Sequence, residues 1–388
     1  MKKLKSQICV LAIAGVLSGP LRTQESFVTF PVTDEALVFS PYNTYSDGNG
    51  DLLRNNIHAG STYAQWTHPG SYFKTTFTGT SARLKLDASS VLEGQMPKVR
   101  WSVDNLPLFT KQLQRAADSL LLASGLKGGS HSLIFYLAAT DANYDRWKTP
   151  AEAIRIQGIL LDAGGSAVAP SGAVGRFPKQ AVFFGDSITE GGWVNGDSNR
   201  LIEGRWVDWV AHSDATQAWP RWLAAAMDSE YGTCGFGGMS WLKPVHLFPA
   251  LPDAWNFYFE NHSRLVNRKL SPAPDYVFVN LGTNDGDHDT AQAAEKWLRD
   301  VRAAVDGTTP IFVIIPFGQM NRDSLNRAIA NAGDSHVYKI DLGPRWAHGL
   351  DAYGHKSSVS YDGLHPDAAA NGLYAALLAA AVKKAVSQ

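Results

Sequence analysis

Two hydrophobic periodicities divide this chain. From about Phe27 to Leu161, apolar and polar residues alternate in short segments: Tyr72 to Phe77, Ala82 to Leu86, Val99 to Val103, Ser132 to Leu137 and Ile154 to Leu161. These are rich in aromatic and β-branched residues and are set apart by Gly, Asp, Asn and Pro clusters, as half-buried strands require. From Val182 onward, continuous apolar runs, such as Tyr276 to Leu281 and Ile311 to Ile315, alternate with segments whose apolar residues recur at helical spacing. No single layer accommodates both patterns. The first predicts an antiparallel β-sandwich, jelly-roll-like, and the second an α/β domain with a mostly parallel sheet between helices.

The boundary falls in residues 162–178, where Gly, Ala, Ser and Pro accumulate without periodicity and a domain linker is expected. This places a β-sandwich domain at 27–161 and an α/β domain at 179–388. Residues 1–24 read as an export signal. Lysines at 2, 3 and 5 precede the apolar run Ile8 to Leu17, which is too short to span a bilayer. Cys9 lies inside that run, so a lipid anchor is not expected. Removing the signal leaves Cys234 as the one cysteine, and an exported or periplasmic protein without an internal disulfide must rely on its core. No later stretch has the length and apolarity of a membrane span. A formal net charge of -1 with no basic run argues against nucleic acid as a partner.

Within the α/β half, Val182 to Phe184 predicts a buried strand that breaks at Gly185-Asp186-Ser187. Ser187 then sits at the end of a strand, where open α/β sheets bind ligands. Such a hydroxyl attacks an ester carbonyl only if a base takes its proton, and the developing oxyanion needs fixed donors. Three distant segments offer those parts. Gly282-Thr283-Asn284-Asp285 follows the predicted strand Tyr276 to Leu281 and brings an amide to the same sheet edge. The loop Gly235-Phe236-Gly237-Gly238 presents unshielded backbone N–H groups. Tyr361-Asp362-Gly363-Leu364-His365-Pro366 sets a carboxylate close to an imidazole just before a predicted helix running from Pro366 to about Val386. Asp186 and Asp285 read as loop-holding residues rather than reacting ones.

With GDSIT at Ser187, a looser block at Gly238, GTND at Asn284 and DGLH at Asp362 and His365, the chain resembles the SGNH, or GDSL-type, hydrolases from about Lys179 onward. The second block departs from the family pattern, with Thr233 where Asn is common. The resemblance implies a flavodoxin-like three-layer domain in which Ser187 is the nucleophile, His365 the base and then acid, and Asp362 its orienter. It further implies an oxyanion hole made of the Ser187 N–H, the Gly238 N–H and the Asn284 side chain, with no cofactor.

A β-sandwich ahead of such a domain is similar in arrangement to carbohydrate esterase family 2. His68-Pro69-Gly70-Ser71, Phe77-Thr78-Gly79-Thr80 and Gly128-Gly129-Ser130-His131 resemble its N-terminal module. This implies a secreted esterase that removes acetyl groups from carbohydrate through an acyl-Ser187 intermediate. A general short-chain esterase, thioesterase or lysophospholipase-like hydrolase, or a carbohydrate-binding protein on a decayed hydrolase fold, remain the alternatives. Two long connections carry aromatics suited to stacking on sugar rings. Trp193, Trp206, Trp209 and His212 lie in the first, and Trp241, Trp255, Phe257 and Tyr258 in the second. Trp193, Trp241, Trp255 and Tyr361 are taken as candidate substrate contacts, against the alternative that such side chains glue loops or domains together. His246, His288, His348 and His355 lack metal-ligand spacing, and no metal is expected. The sandwich half shows no catalytic constellation.

Overall fold

The computed structural model describes residues 26–54, 56–91, 96–149, 153–171, 174–196, 201–202, 205–206, 208–242, 247–344, 360 and 362–387. The expected signal, 1–24, lies outside the described residues, as do Tyr361, His246, His348 and His355.

The period-two segments form two antiparallel six-stranded sheets. One runs Ser119–Ala123, Ala82–Asp87, Ile154–Asp162, Ala64–Trp66, Thr44–Ser46, with Phe27–Pro31 also paired to Ile154–Asp162. The other runs Phe109–Gln112, Lys98–Val103, Ser130–Ala139, Tyr72–Thr78, Ser166–Val168, with Val38–Phe39 paired to Tyr72–Thr78. Alternation sends every second side chain into a core shared by both sheets, with Trp66, Leu84, Ile156 and Ile159 from one and Phe73, Trp101 and Phe135 from the other. Register fixes that core. Phe135 stands opposite Phe73 on one side and Trp101 on the other, and its ring stacks on that of Phe73 at 5.5 Å.

The segment expected to be a linker is not free. Ser166–Val168 pairs with Thr76–Thr78 as an edge strand, and the Phe177 N–H donates to Glu230 Oε1 at 2.8 Å. Backbone pairing and one buried carboxylate hold a segment whose side chains gave no periodic signal.

The second half is a five-stranded, all-parallel sheet in the order Ser229–Gly235, Lys179–Gly185, Tyr276–Asn280, Ile311–Ile314, Val337–Ile340. In chain order this is the flavodoxin-like arrangement, whose topological switch lies between the first strand and the third. Successive residues of the first strand serve opposite faces. Val182 and Phe184 pack with helices Ala291–Ala304 and Arg322–Ala332, while Ala181 and Phe183 pack with Trp219–Ala226 and Ala368–Val386. Pro220 lies in the first turn of Trp219–Ala226, where its missing N–H costs nothing. The last helix begins two residues later than Pro366, because the Asp367 carboxylate caps it by accepting the Ala370 N–H at 2.7 Å.

Ser229–Gly235 (SEYGTCG) is an edge strand with every residue buried. The sandwich covers it. Glu230 accepts from Lys74 Nζ at 2.8 Å and from the Tyr72 hydroxyl, and the Thr233 hydroxyl donates to the Pro69 carbonyl at 2.6 Å. An unpaired edge is thereby removed from solvent.

Candidate active site

Ser187 emerges from the first strand of the parallel sheet on a tight turn. Asp186 Oδ1 accepts the Ile188 N–H at 2.9 Å, and the Asp186 carbonyl accepts from Thr189 and Glu190 at 3.0 and 3.1 Å. Asn284 sits in the short 3-10 turn Thr283–Asp285 just beyond the third strand. These neighbouring strands flank the topological switch, so Ser187 and Asn284 meet in the crevice the fold leaves open. Asp285 holds the facing loop, its carboxylate accepting the N–H groups of Trp241 and Leu242 at 3.0 to 3.1 Å.

His365 reaches the crevice from the turn before the last helix. Asp362 organises that turn: its Oδ1 accepts the Leu364 and His365 backbone N–H groups at 2.9 and 2.7 Å. Its Oδ2 accepts from His365 Nδ1 at 2.6 Å, and His365 Nε2 lies 2.8 Å from Ser187 Oγ. Burial opposes the charged form of Asp362, but the hydrogen bonds and charge of His365 prevail and bring its carboxyl down to about 2. An ionised carboxylate only accepts, so Nδ1 carries the imidazole proton and Nε2 is free to accept from the Ser187 hydroxyl. His365 and Ser187 are both buried, at 1% and 7% exposure, so this chain of bonds works away from bulk water.

On the other side of Ser187 stand Gly237, Gly238 and Asn284. The Gly237 N–H donates to Glu190 Oε2 at 2.9 Å, so of the two adjacent glycines Gly237 has its N–H turned to a carboxylate. Gly238 has φ +83°, a left-handed conformation that favours glycine. Asn284 Nδ2 donates to the Met239 carbonyl at 2.9 Å and to Asp186 Oδ2 at 3.2 Å. Burial raises the Asp186 carboxyl to about 7 and also pushes Glu190 upward, the latter opposed by Arg146. Asp186 therefore carries less negative charge beside the nucleophile than the sequence suggests, while Arg146 favours the charged form of Glu190.

Between these groups lies a cavity of about 40 Å³, completed by Trp209, Leu364 and Ala142. Trp209 meets His365 edge to face at 5.7 Å. Of the aromatics expected at the cleft, Trp193, Trp241 and Trp255 are instead core residues, 0%, 2% and 6% exposed. Trp193 stacks on His212, the Trp241 indole donates to the Leu281 carbonyl, and Trp255 packs edgewise on Phe184. The Trp241 indole buries its apolar body and satisfies its N–H, and so gains more inside than on a loop surface; Trp193 and Trp255 are held by ring packing. The N-terminal half also contributes a wall residue to the site, Ala142. Its signal in the sequence is only a polar turn, Asp141-Ala142-Asn143-Tyr144-Asp145, directly after a strand.

Among the described residues, no group of three or more His, Cys, Asp and Glu is placed to hold a metal, and no helix is long and apolar enough to cross a membrane.

A strand-end serine bonded to a His that is bonded in turn to an Asp, in the switch-point crevice of a flavodoxin-like sheet, is the arrangement of side chains that serine hydrolase centres use. Residues 183–373 match the GDSL-like Lipase/Acylhydrolase family, and the chain carries an SGNH-type hydrolase domain in an arrangement resembling the family 2 carbohydrate esterases. The fold of the whole chain is similar to that of a family two carbohydrate esterase from Cellvibrio japonicus (15% identity, TM-score 0.70, 94% of this chain and 99% of that one). It is also similar to an acetyl xylan esterase from the rumen bacterium Butyrivibrio proteoclasticus (15%, 0.69, 93% and 99%). A third likeness is to a family two carbohydrate esterase from Clostridium thermocellum in complex with cellohexaose (18%, 0.67, 90% and 99%). No curated protein sequence matches this chain.

Proposed function

We propose that this protein is a secreted serine esterase that removes O-acetyl groups from polysaccharide or oligosaccharide. The observation that carries the reading is the Ser187–His365–Asp362 chain of bonds, 2.8 and 2.6 Å long, opening on a cavity of about 40 Å³. Ser187 Oγ attacks the acetyl carbonyl carbon as its proton passes to His365 Nε2, and Asp362 stabilises the imidazolium. The carbonyl oxygen, now negative, is held by the N–H groups of Ser187 and Gly238 and by Asn284 Nδ2, which exchanges its longer bond to Asp186 for the oxyanion. His365 returns the proton to the sugar oxygen as the C–O bond breaks. Water, deprotonated by His365, then releases acetate from Ser187 by the same path.

The cavity walled by Trp209, Ala142 and Leu364 is small, which supports acetyl over lipid esters. The carbohydrate part of the reading rests on the resemblance in fold and on the two-sheet antiparallel domain beside the cleft. Acetate release from acetylated xylan, mannan, xyloglucan, pectin and peptidoglycan tests it, with Ser187→Ala as the control. Turnover by that variant would refute the nucleophile, and a preference for octanoyl over acetyl esters would refute the small acyl pocket.

A further inference from the structure

Glu190 lies in the same turn as Ser187, in the sequence Gly185-Asp186-Ser187-Ile188-Thr189-Glu190, yet the reaction as derived does not use it. Its carboxylate is buried and bound on two sides. Toward the crevice, Oε2 accepts the Gly237 N–H at 2.9 Å. Toward the sandwich domain, it meets Arg146, whose Nη1 donates to Oε1 at 2.9 Å and whose Nη2 donates to Oε2 at 3.2 Å. Arg146 is itself only 2% exposed. Its Nη1 also donates to the Thr67 carbonyl at 2.6 Å, and its guanidinium lies over the rings of Phe236 and Phe248 at 5.2 and 5.6 Å. The loop that carries Arg146 also carries Ala142 to the cavity wall.

Gly237 is the hinge of this arrangement. A Cβ built there would lie 3.3 Å from Glu190 Oε2, 3.6 Å from Ser187 Cβ and 3.9 Å from Ala142 Cβ, so the carboxylate, the nucleophile and the cavity wall all stand close to one backbone residue. The next residue supplies the oxyanion donor. A negative charge this close to Ser187 opposes a second one developing on the carbonyl oxygen, unless a cation cancels it.

We propose that Arg146, contributed by the N-terminal domain, is a positioning residue for the reaction: through Glu190 it fixes the Gly237–Gly238 segment as oxyanion donor and cancels the carboxylate charge beside the oxyanion. The inference rests on the esterase reading. It assigns the sandwich a part in catalysis that is independent of whether it binds glycan. The bidentate fork matters as well as the charge, since it sets the plane of the carboxylate that grips Gly237.

The test uses the full chain and an activated acetyl ester, measuring kcat and KM separately alongside thermal unfolding. Arg146→Met is expected to lower kcat by roughly 10²-fold, the scale of one oxyanion donor, with KM within about threefold. Adding Glu190→Gln, which keeps an oxygen for the Gly237 N–H but removes the charge, should recover at least about tenfold in kcat. A merely structural role predicts no such recovery. Arg146→Lys, which keeps the cation without the fork, should remain folded and lose roughly tenfold in kcat. The inference is overturned by an active wild type beside a folded Arg146→Lys or Arg146→Met variant of unchanged kcat, or by a double variant no better than the single one. A wild-type chain that hydrolyses no acetyl ester overturns the esterase reading, and this inference with it.

Discussion

Replacing Asp362 by Ala removes one identifiable interaction from the catalytic chain, and its size can be worked from the structure. The carboxyl falls from 3.8 to about 2, a shift produced by the His365 ring and by the His365 and Leu364 backbone N–H groups against the cost of burial. Near two pKa units correspond to on the order of 2–3 kcal/mol, and this net figure, which includes the backbone N–H bonds of His365 and Leu364, sets the scale of the preference of the carboxylate for an imidazolium partner. His365 becomes an imidazolium only as Ser187 loses its proton, so that stabilisation is fully realised in the transition state. Its loss predicts a fall in kcat of roughly 30- to 150-fold, with KM little changed. Asp362→Asn should do worse than Ala at equal stability. The Asn amide would place an N–H against Nδ1, shift the proton to Nε2 and leave Ser187 without an acceptor. His365→Ala should cost more than Asp362→Ala, since it removes the base itself. The assay is initial-rate hydrolysis of an acetyl ester across pH, with urea unfolding in parallel. Stability supplies a second reading with a definite sign. The folded carboxyl is depressed, so its contribution is present above the unfolded value near 3.8 and is lost as pH falls through about 2. Wild type should therefore lose stability relative to itself between those values, and Asp362→Ala should lack that segment. A fall in kcat under threefold, or an unchanged acid-stability profile in the Ala variant, would refute this account of the dyad.

Other perturbations address separate parts of the site. Trp209→Ala opens the cavity wall and should shift kcat/KM toward butanoyl and hexanoyl esters by at least about tenfold relative to acetyl, since each methylene accommodated is worth about 1–3 kcal/mol; an unchanged chain-length profile would remove Trp209 from the acyl pocket. Gly238→Ala forces a side chain onto φ +83°, a strain on the order of 1–3 kcal/mol, and should reduce kcat more than it reduces melting temperature in proportion. Purely parallel losses would place Gly238 outside the oxyanion hole. Glu230→Ala leaves Lys74, whose side chain is 6% exposed, without its carboxylate between the domains, and should destabilise the chain by about 3–5 kcal/mol in urea unfolding. A cost below about 1 kcal/mol would show that the pair does not pin the two halves.

The parts of the site that were legible in the sequence are those whose chemistry is local. Ser187, Asn284 and the Asp362–His365 pair each sit in a short polar block at a strand end or before a helix, and those blocks keep their meaning wherever the chain places them. Strands such as Ile154–Asp162 and Ile311–Ile314 were legible for the same reason, since their periodicity is intrinsic. Ser229–Gly235 was not, because Ser, Glu, Gly, Thr and Gly give no apolar run; its burial comes from the other domain. Arg146 and Ala142 were illegible on the same ground, as their roles arise only when residues far apart in the chain dock. Trp193, Trp241 and Trp255 mark a different limit. An indole in a long loop satisfies its chemistry equally by stacking on a ligand or by entering a core, and composition does not choose between them.

Docking and catalysis are joined through one piece of backbone. Ser229–Gly235 is the edge strand that the sandwich covers, and Gly237 and Gly238 follow it directly into the crevice. The contact is close enough that a Cβ on Gly232 would stand 1.9 Å from the Pro41 carbonyl oxygen, so the two domains meet backbone to backbone there. Thr233, at the position where the family commonly has Asn, gives its hydroxyl to Pro69. Farther along, Glu190, itself bonded by Arg146 of the first domain, accepts the Gly237 N–H. A shift of the sandwich that strained the Thr233 and Glu230 bonds would pull on the strand that leads to the oxyanion donor. Oxyanion geometry tolerates displacements of well under 1 Å before the donor loses effect. On the proposed mechanism the first domain, which lines the cavity through Ala142, would place its docking interface under the same geometric constraint as the crevice.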